Sequence, residues 1–178
     1  DTIYENGQGE AYSYGGAGDD LMVSVGGGSD TVQGGLGVDS FWADSTDSLS
    51  DVSSAETSAR SVHRIASFYQ PYTTNPSSND YISLEIAGQN FRDPTLTGYA
   101  SRYENFSHLD VFNNGAQYDD INQGAVGDCY FLAAVSSLAQ TDTNIVEQMV
   151  THLGDGTYAV RYYSSGSEVY LRIDGDLP

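Results

Sequence analysis

Glycine, aspartate and apolar residues recur in a fixed nine-residue frame over the first 42 positions. GGAGDDLMV (15–23), VGGGSDTVQ (25–33) and GGLGVDSFW (34–42) each hold a glycine-rich turn, an aspartate at the sixth place and an apolar residue two further on. NGQGEAYSY (6–14) is a worn copy with Ala11 at the sixth place, and DTIY (1–4) is the tail of another. The sixth places are therefore Asp1, Ala11, Asp20, Asp30 and Asp39. Single insertions at Glu5 and Ser24 make the steps alternate between ten and nine, so every second place repeats after 19 residues. A coil with two turns per winding then stacks Asp1, Asp20 and Asp39 on one edge, and Ala11 with Asp30 on the other. Ile3, Ser13, Met22, Val32 and Phe41 would point inward from short strands.

The pattern changes after residue 42. Residues 43 to about 60 are rich in Ser, Asp and Thr without periodicity, which reads as the end of the roll and a linker. SVHRIASFYQPY (61–72) is apolar and aromatic, and YISLEIAG (81–88) alternates as a strand does. Residues 93–112 are expected to carry a short helix. From Asp128 onward Phe131, Ala134, Val135 and Leu138 fall at i, i+3, i+4 and i+7, predicting a largely buried helix capped by Asp128. TNIVEQMVTHL (143–153) predicts a second amphipathic helix, and residues 156–174 a hairpin turning at SSGS.

Composition narrows the partners. The 178 residues include 25 acidic and 6 basic side chains, a net charge of −19, and no lysine. Such a charge repels phosphate, so nucleic acid is excluded as an expected partner. Two readings fit the acid excess: a solvated surface, or carboxylates that hold hard cations such as calcium. No apolar run approaches the roughly 18 residues of a membrane span. The chain opens on Asp1 without a signal peptide, which reads as a piece of a longer protein.

Two places carry candidate chemistry. In the repeats, glycines admit positive φ, so the turns at Gly16, Gly18, Gly35 and Gly37 can aim carbonyl oxygens inward. With the carboxylates of Asp1, Asp20, Asp30 and Asp39 they make an oxygen-rich set of the kind calcium takes. The Asp20–Asp39 side is expected to bind best, and Asp30, facing Ala11, more weakly. The alternative is a flexible Gly/Asp-rich linker, which leaves the 19-residue register unexplained.

The second place is Cys129, the single cysteine, at the start of the helix predicted from Asp128. The positive end of a helix dipole favours a thiolate, the attacking species in cysteine hydrolases. Gln123 and the Cys129 backbone N–H would form an oxyanion hole, at about 3 kcal/mol per donor. A buried packing cysteine is the bland alternative.

The repeats resemble the nonapeptide repeats of RTX proteins, which implies a parallel β-roll with calcium between windings. It also implies an extracellular or cell-surface location, where calcium is plentiful. QGAVGDCYFLAA (123–134) resembles the active-site motif of calpains, calcium-dependent papain-like cysteine proteases, written Q-G-x-x-G-D-C-W. Gln123, Gly124, Gly127, Asp128 and Cys129 match, and Tyr130 stands where the tryptophan would be. The likeness runs from about Phe112 to Pro178 and includes the closing VYLRIDGDLP. It implies a calcium-dependent endopeptidase acting on protein or peptide substrates. The core would have two halves, the first with glutamine and cysteine, the second with histidine and asparagine. It also implies a calcium site whose upstream positions match Asn113, Gly115 and Asp120. Asp120 has a bland alternative as a turn residue in QYDD.

A papain-type nucleophile needs a histidine base. His63 and His108 read as structural or surface residues, and His152 as a partner of the second helix's C-terminus. The base is therefore expected on a C-terminal half beyond this sequence. The expected architecture is α+β: a parallel β-roll (1–45), a linker (46–94), and the mainly helical first half of a papain-like core (95–178). The rival function is a secreted calcium-binding or adhesion protein with an inactive calpain-like module.

Overall fold

The computed structural model describes residues 1–69, 91, 93, 95–96, 101–123 and 127–178. The strand expected over 81–88 lies outside these residues, as does Gly124.

The glycine-aspartate frame winds into two parallel sheets. β1 (Thr2–Glu5), β3 (Leu21–Ser24), β5 (Ser40–Asp44) and β7 (Val62–Ile65) form one, in that order. β2 (Tyr12–Ala17), β4 (Thr31–Leu36) and β6 (Ser48–Leu49) form the other. Thr2 pairs with Leu21 and Leu21 with Ser40, while Tyr12 pairs with Thr31, so the strands keep the 19-residue step. Between the sheets Met22, Val32 and Phe41 are buried, with Ile3, Leu49 and Val62 packed against them. The inner position thus recurs from winding to winding, as period-2 side-chain alternation requires.

Close stacking depends on glycine. At Gly35 φ is +112° and a Cβ would stand 2.0 Å from the Gly16 carbonyl oxygen. No side chain fits there without spreading the windings. Gly18 has a similar φ, +110°, but open space around the Cβ position.

Residues 46–65 continue the roll. β6 and β7 extend both ladders, joined by α1 (Ser54–Ala59). Ser53 caps α1 with a reciprocal Ser53–Glu56 capping box, and Arg60 ends it at φ 59°.

The mainly helical half expected for residues 95–178 is not formed. After β8 (Glu104–Asn105) come α2 (Cys129–Thr141) and the one-turn α3 (Thr143–Glu147). An antiparallel sheet of β9 (Val150–His152), β10 (Thr157–Ser164) and β11 (Ser167–Asp174) follows, and β12 (Asp176–Leu177) pairs with β8. Among the described residues there are twelve strands and three helices. The second helix stops at Glu147 because Val150 and Thr151, both β-branched, pair with β10 instead. The hairpin turns at Ser165 and Gly166, with φ of 54° and 84°, and Ser164 opposite Ser167. No helix is present among the described residues of 93–112. α2 is not largely buried either, since Tyr130, Phe131 and Leu138 are exposed.

The outer face of the β1-β3-β5-β7 sheet packs on this antiparallel sheet. Val23, Val25, Trp42 and Ile65 form one core with Phe68, Leu153, Ala159 and Tyr170. A buried polar chain crosses the seam. Ser40 Oγ donates to Gln148 Oε1 (3.0 Å), which also lies 2.8 Å from His63 Nε2. His63 Nδ1 is 3.4 Å from Arg161 Nη1, and Arg161 pairs with Glu168 at 3.3 Å. Tyr163 and Tyr170 donate their hydroxyls to Glu168. An amide oxygen on one side and a guanidinium on the other require neutral His63 with its proton on Nε2. Burial first, and then the Arg161 charge, hold its pKa at about 4, against an opposing hydrogen bond with Gln148.

Two outcomes follow from this packing. Gly35→Ala is expected to lower stability by about 2 kcal/mol or more, and Gly18→Ala by about 1 kcal/mol, both read by urea denaturation. His63 protonates in the unfolded chain below its ordinary 6.5 but in the folded chain only near 4. The unfolded chain therefore binds the extra proton across that window, so this group removes stability as pH falls from 6.5 towards 4. Melting temperatures across that range should fall less steeply in His63→Gln than in the wild type.

Candidate functional site

Cys129 is the first residue of α2 and is exposed. The preceding Asp128 makes no side-chain cap bond, and its Oδ1 instead accepts from Gln123 Nε2 at 3.3 Å. The structure thus brings Gln123 to within one residue of Cys129, at the helix end where free N–H groups point outward. No histidine hydrogen-bonds to Cys129 among the described residues. His63 is buried at the seam. His152 lies in β9, where its Nδ1 accepts from Gly154 N, rather than at a helix end. His108 lines a cavity of about 620 Å³ between the roll and β9, together with Tyr4, Trp42, Gln148 and His152. Cys129 does not line it.

The loop that carries Asn113, Gly115 and Asp120 is fastened to α2. Ser136 Oγ donates to the Tyr118 carbonyl at 2.7 Å, and Asn113 and Asp120 line a cavity of about 360 Å³ with Val135 and Ala139. Asp120 Oδ2 accepts from Gln117 N at 2.8 Å, closing a turn. Glu147, which the sequence did not single out, reaches the same loop, where its Oε1 accepts from Ala116 N at 3.0 Å.

On the first edge of the roll, the Asp39 carboxylate accepts the backbone N–H of Asp20, one winding before it, at 2.9 Å. Asp20 Oδ1 pairs in the same place with the N-terminal ammonium of Asp1. Asp39 N donates in turn to Glu56 Oε1 at 3.2 Å. One oxygen of each aspartate is used in this way. The other, Oδ2 of Asp20 and of Asp39, is buried without a hydrogen-bond partner. A Cβ at Gly34 would stand 2.1 Å from Asp39 Oδ2, and one at Gly15 equally close, at 2.5 Å, to Asp20 Oδ2 and the Gly34 carbonyl oxygen. Two buried carboxylate oxygens beside a turn carbonyl are a donor set that fits a hard cation. Burial raises the Asp39 carboxyl pKa, its bond from Asp20 N–H opposes this, and the nearby Glu56, Asp20 and Asp51 charges add to it. Gly16, Gly18, Gly35 and Gly37 all have positive φ, as the turns require.

The second edge differs. Ala11 N donates to Asp30 Oδ1 at 2.7 Å, and Asp30 N to Asp47 Oδ1 at 2.9 Å. Asp47 and Glu56 thus occupy the places that the next two sixth-place aspartates would hold, each 17 residues on. Sequence reasoning missed both because the glycine turns before them are gone. The surviving signals are Asp47-Ser48-Leu49, which keeps the aspartate and the apolar residue two on, and the S-x-x-E signature at Ser53–Glu56. Asp51 was missed too; its carboxylate accepts from Gly34 N and Gly35 N. Elsewhere Asp93, Asp174 and Asp176 bring carboxylate oxygens within 4.8 Å of one another.

Residues 94–178 match the family model of the calpain family cysteine proteases. These residues are calpain-like. Over 68 residues the chain is also 37% identical to calpain-13 of Rattus norvegicus, covering 36% of this chain. The chain spans 10% of that relative's length. No solved structure matches. The calpain-like segment holds Gln123, Cys129 and the 113–120 loop, and the glycine-aspartate roll lies outside it. No helix among the described residues is long and apolar enough to cross a membrane.

Exposure of the calpain-like cysteine has a direct consequence. Iodoacetamide is expected to label Cys129 to completion in the folded chain, at a rate within about tenfold of that in denaturant. Labelling seen only after unfolding would contradict the exposed position.

Proposed function

We propose that this chain supplies the nucleophile and oxyanion hole of a calcium-responsive, calpain-like cysteine endopeptidase. The observation that carries the proposal is Cys129, exposed at a helix start beside Gln123, within the segment that matches the calpain family. In this mechanism the Cys129 thiolate attacks the scissile carbonyl, the peptide C–N bond breaks as the histidine protonates the departing amine, and water then hydrolyses the resulting thioester to the acid and the free thiol. The Gln123 amide and the Cys129 N–H stabilise the oxyanion. The general base and its orienting residue, a histidine and an asparagine, come from a C-terminal half of the same protease. Tyr130, Phe131 and Leu138, exposed along α2, supply apolar surface for that half to cover.

Calcium enters in two places. Asp20 and Asp39, with turn carbonyls of the roll, hold it on the first edge, supported by their unpartnered buried oxygens. Asp120, with the Asn113 and Gly115 carbonyls, takes a second ion. Because the 113–120 loop is bonded to α2 through Ser136, ordering that loop steadies the helix that bears Cys129. A roll that needs calcium to neutralise its carboxylates belongs outside the cell, on protein or peptide substrates met there.

The test uses the full-length protein and a casein substrate. Cys129→Ala is expected to reduce hydrolysis at least about 10³-fold. Activity should fall in EDTA, and Asp120→Ala should need more calcium than the wild type. Equal rates in EDTA and calcium would refute the calcium response. Hydrolysis unaffected by Cys129→Ala would refute the nucleophile. A protein that binds calcium but cleaves nothing would be a binding module with an inactive protease fold.

A further inference from the structure

Asp128 is placed to cap α2 and does not. Aspartate is among the best N-cap residues because its side-chain oxygen accepts a free N–H of the first turn. Asp128 stands at that position, yet it makes no side-chain cap bond. Its Oδ1 accepts instead from Gln123 Nε2 at 3.3 Å, five residues back. The N-cap of α3 shows the alternative, because the Asp142 side chain there accepts from Asn144 N. The same residue type at the same helix position is thus used in two ways. At α2 it serves the glutamine beside the cysteine. The bond is exposed, where water competes for both partners, so its contribution is orientation more than stability.

The chemistry of the pair is selective. The two ends of a glutamine amide are nearly alike in size, but Nε2 donates and Oε1 only accepts. An oxyanion is stabilised by the first and repelled by the second. An ionised carboxylate can only accept, so it pairs with Nε2 and turns Oε1 away. The NH₂ group carries two protons, so donating one to Asp128 does not use up the one an oxyanion takes. Cys129, whose backbone N–H would be the second donor, is the next residue in the chain. The charge of Asp128 also works against an oxyanion forming nearby. The free N–H groups at the start of α2 offset it, as they do for an acidic residue at any helix N-terminus.

We propose that Asp128 is a positioning residue of the oxyanion hole. Its carboxylate aims the Gln123 amide so that Nε2, not Oε1, meets the oxyanion formed when Cys129 attacks. This rests on the reading of Cys129 as nucleophile and Gln123 as oxyanion donor, and it adds the group that sets the donor's orientation.

The experiment measures kcat and KM for casein hydrolysis by the full-length protein in a double-mutant cycle. Asp128→Ala should lower kcat on the order of tenfold and leave KM within about twofold, because ground-state binding does not use the hole. Gln123→Ala should lower kcat on the order of a hundredfold. In that background Asp128→Ala should cost nothing more. Asp128→Asn should fall between the wild type and Asp128→Ala, since its amide pairs with either end of Gln123. Two further readouts separate aiming from a structural role. Asp128→Ala should melt as the wild type does. Iodoacetamide, which reacts at a saturated carbon and forms no oxyanion, should alkylate Cys129 no more slowly in that variant. A lower melting temperature with slower alkylation would make Asp128 a structural residue and overturn the proposal. Wild-type kcat in Asp128→Ala, or its full loss repeated in the Gln123→Ala background, would overturn it and leave the nucleophile standing. Hydrolysis that survives Cys129→Ala overturns the underlying reading, and this proposal with it. Should Asp128→Ala fail to fold, as judged by circular dichroism, Asp128→Asn decides: wild-type kcat there overturns the proposal.

Discussion

Phe41 and Trp42 are neighbours in one strand and face two different cores. Phe41 packs inside the roll, and Trp42 packs against Tyr170 and Leu153 of the calpain-like sheet. The central strands β3 and β5 are therefore buried on both faces. Parallel sheets are stable when both faces are covered, and here the second cover is the antiparallel sheet. The roll is thus packed into the calpain-like segment rather than tethered to it. The Ser40–Gln148–His63–Arg161 chain lies in the seam and fixes how the two sheets meet. Such a chain has little slack, because each buried polar group depends on the next for its partner.

That seam gives the roll a physical route to the cysteine. Gln148 directly follows the last residue of α3, and Glu147 reaches back to the 113–120 loop. The loop in turn is bonded to α2. A change in the spacing of the windings at Ser40 meets Gln148 within one hydrogen bond. Under the proposed function, a cation held at Asp39, next to Ser40 in sequence, would act on that spacing.

The acid excess acquires a structural meaning on the two edges. Sixth-place carboxylates do two jobs with two oxygens. One accepts the N–H of the preceding winding, which sets the 19-residue register. On the first edge the other is left buried and unpaired at Asp20 and Asp39. The register thus stands on hydrogen bonds that need no metal, while the remaining oxygens of Asp20 and Asp39 are left as buried acceptors without a donor. The same logic carries past the last recognisable repeat, where Asp47 and Glu56 repeat the first job without the glycine turn.

The sequence alone determined the roll's register and its inner stack. Both are local consequences of a repeated frame, in which glycine and aspartate recur at fixed spacing and strands alternate with period 2. It likewise marked the Ser165–Gly166 hairpin and the start of α2 at Cys129, where turn and cap chemistry act within a few residues. Tertiary structure decided the rest. Val150–His152 became a strand because a partner strand was at hand, although its spacing suits a helix. Residues 46–65, which read as a linker, became the last winding because Asp47 and Glu56 found backbone N–H groups that only stacking presents. The two-sided burial of β3 and β5 was written in LMV and FWA, where adjacent residues are both apolar, but what would cover the outer face was not. A contact between residues more than a hundred positions apart, such as Ser40 with Gln148, leaves no periodic trace in the chain. It exists only when the two sheets are brought together.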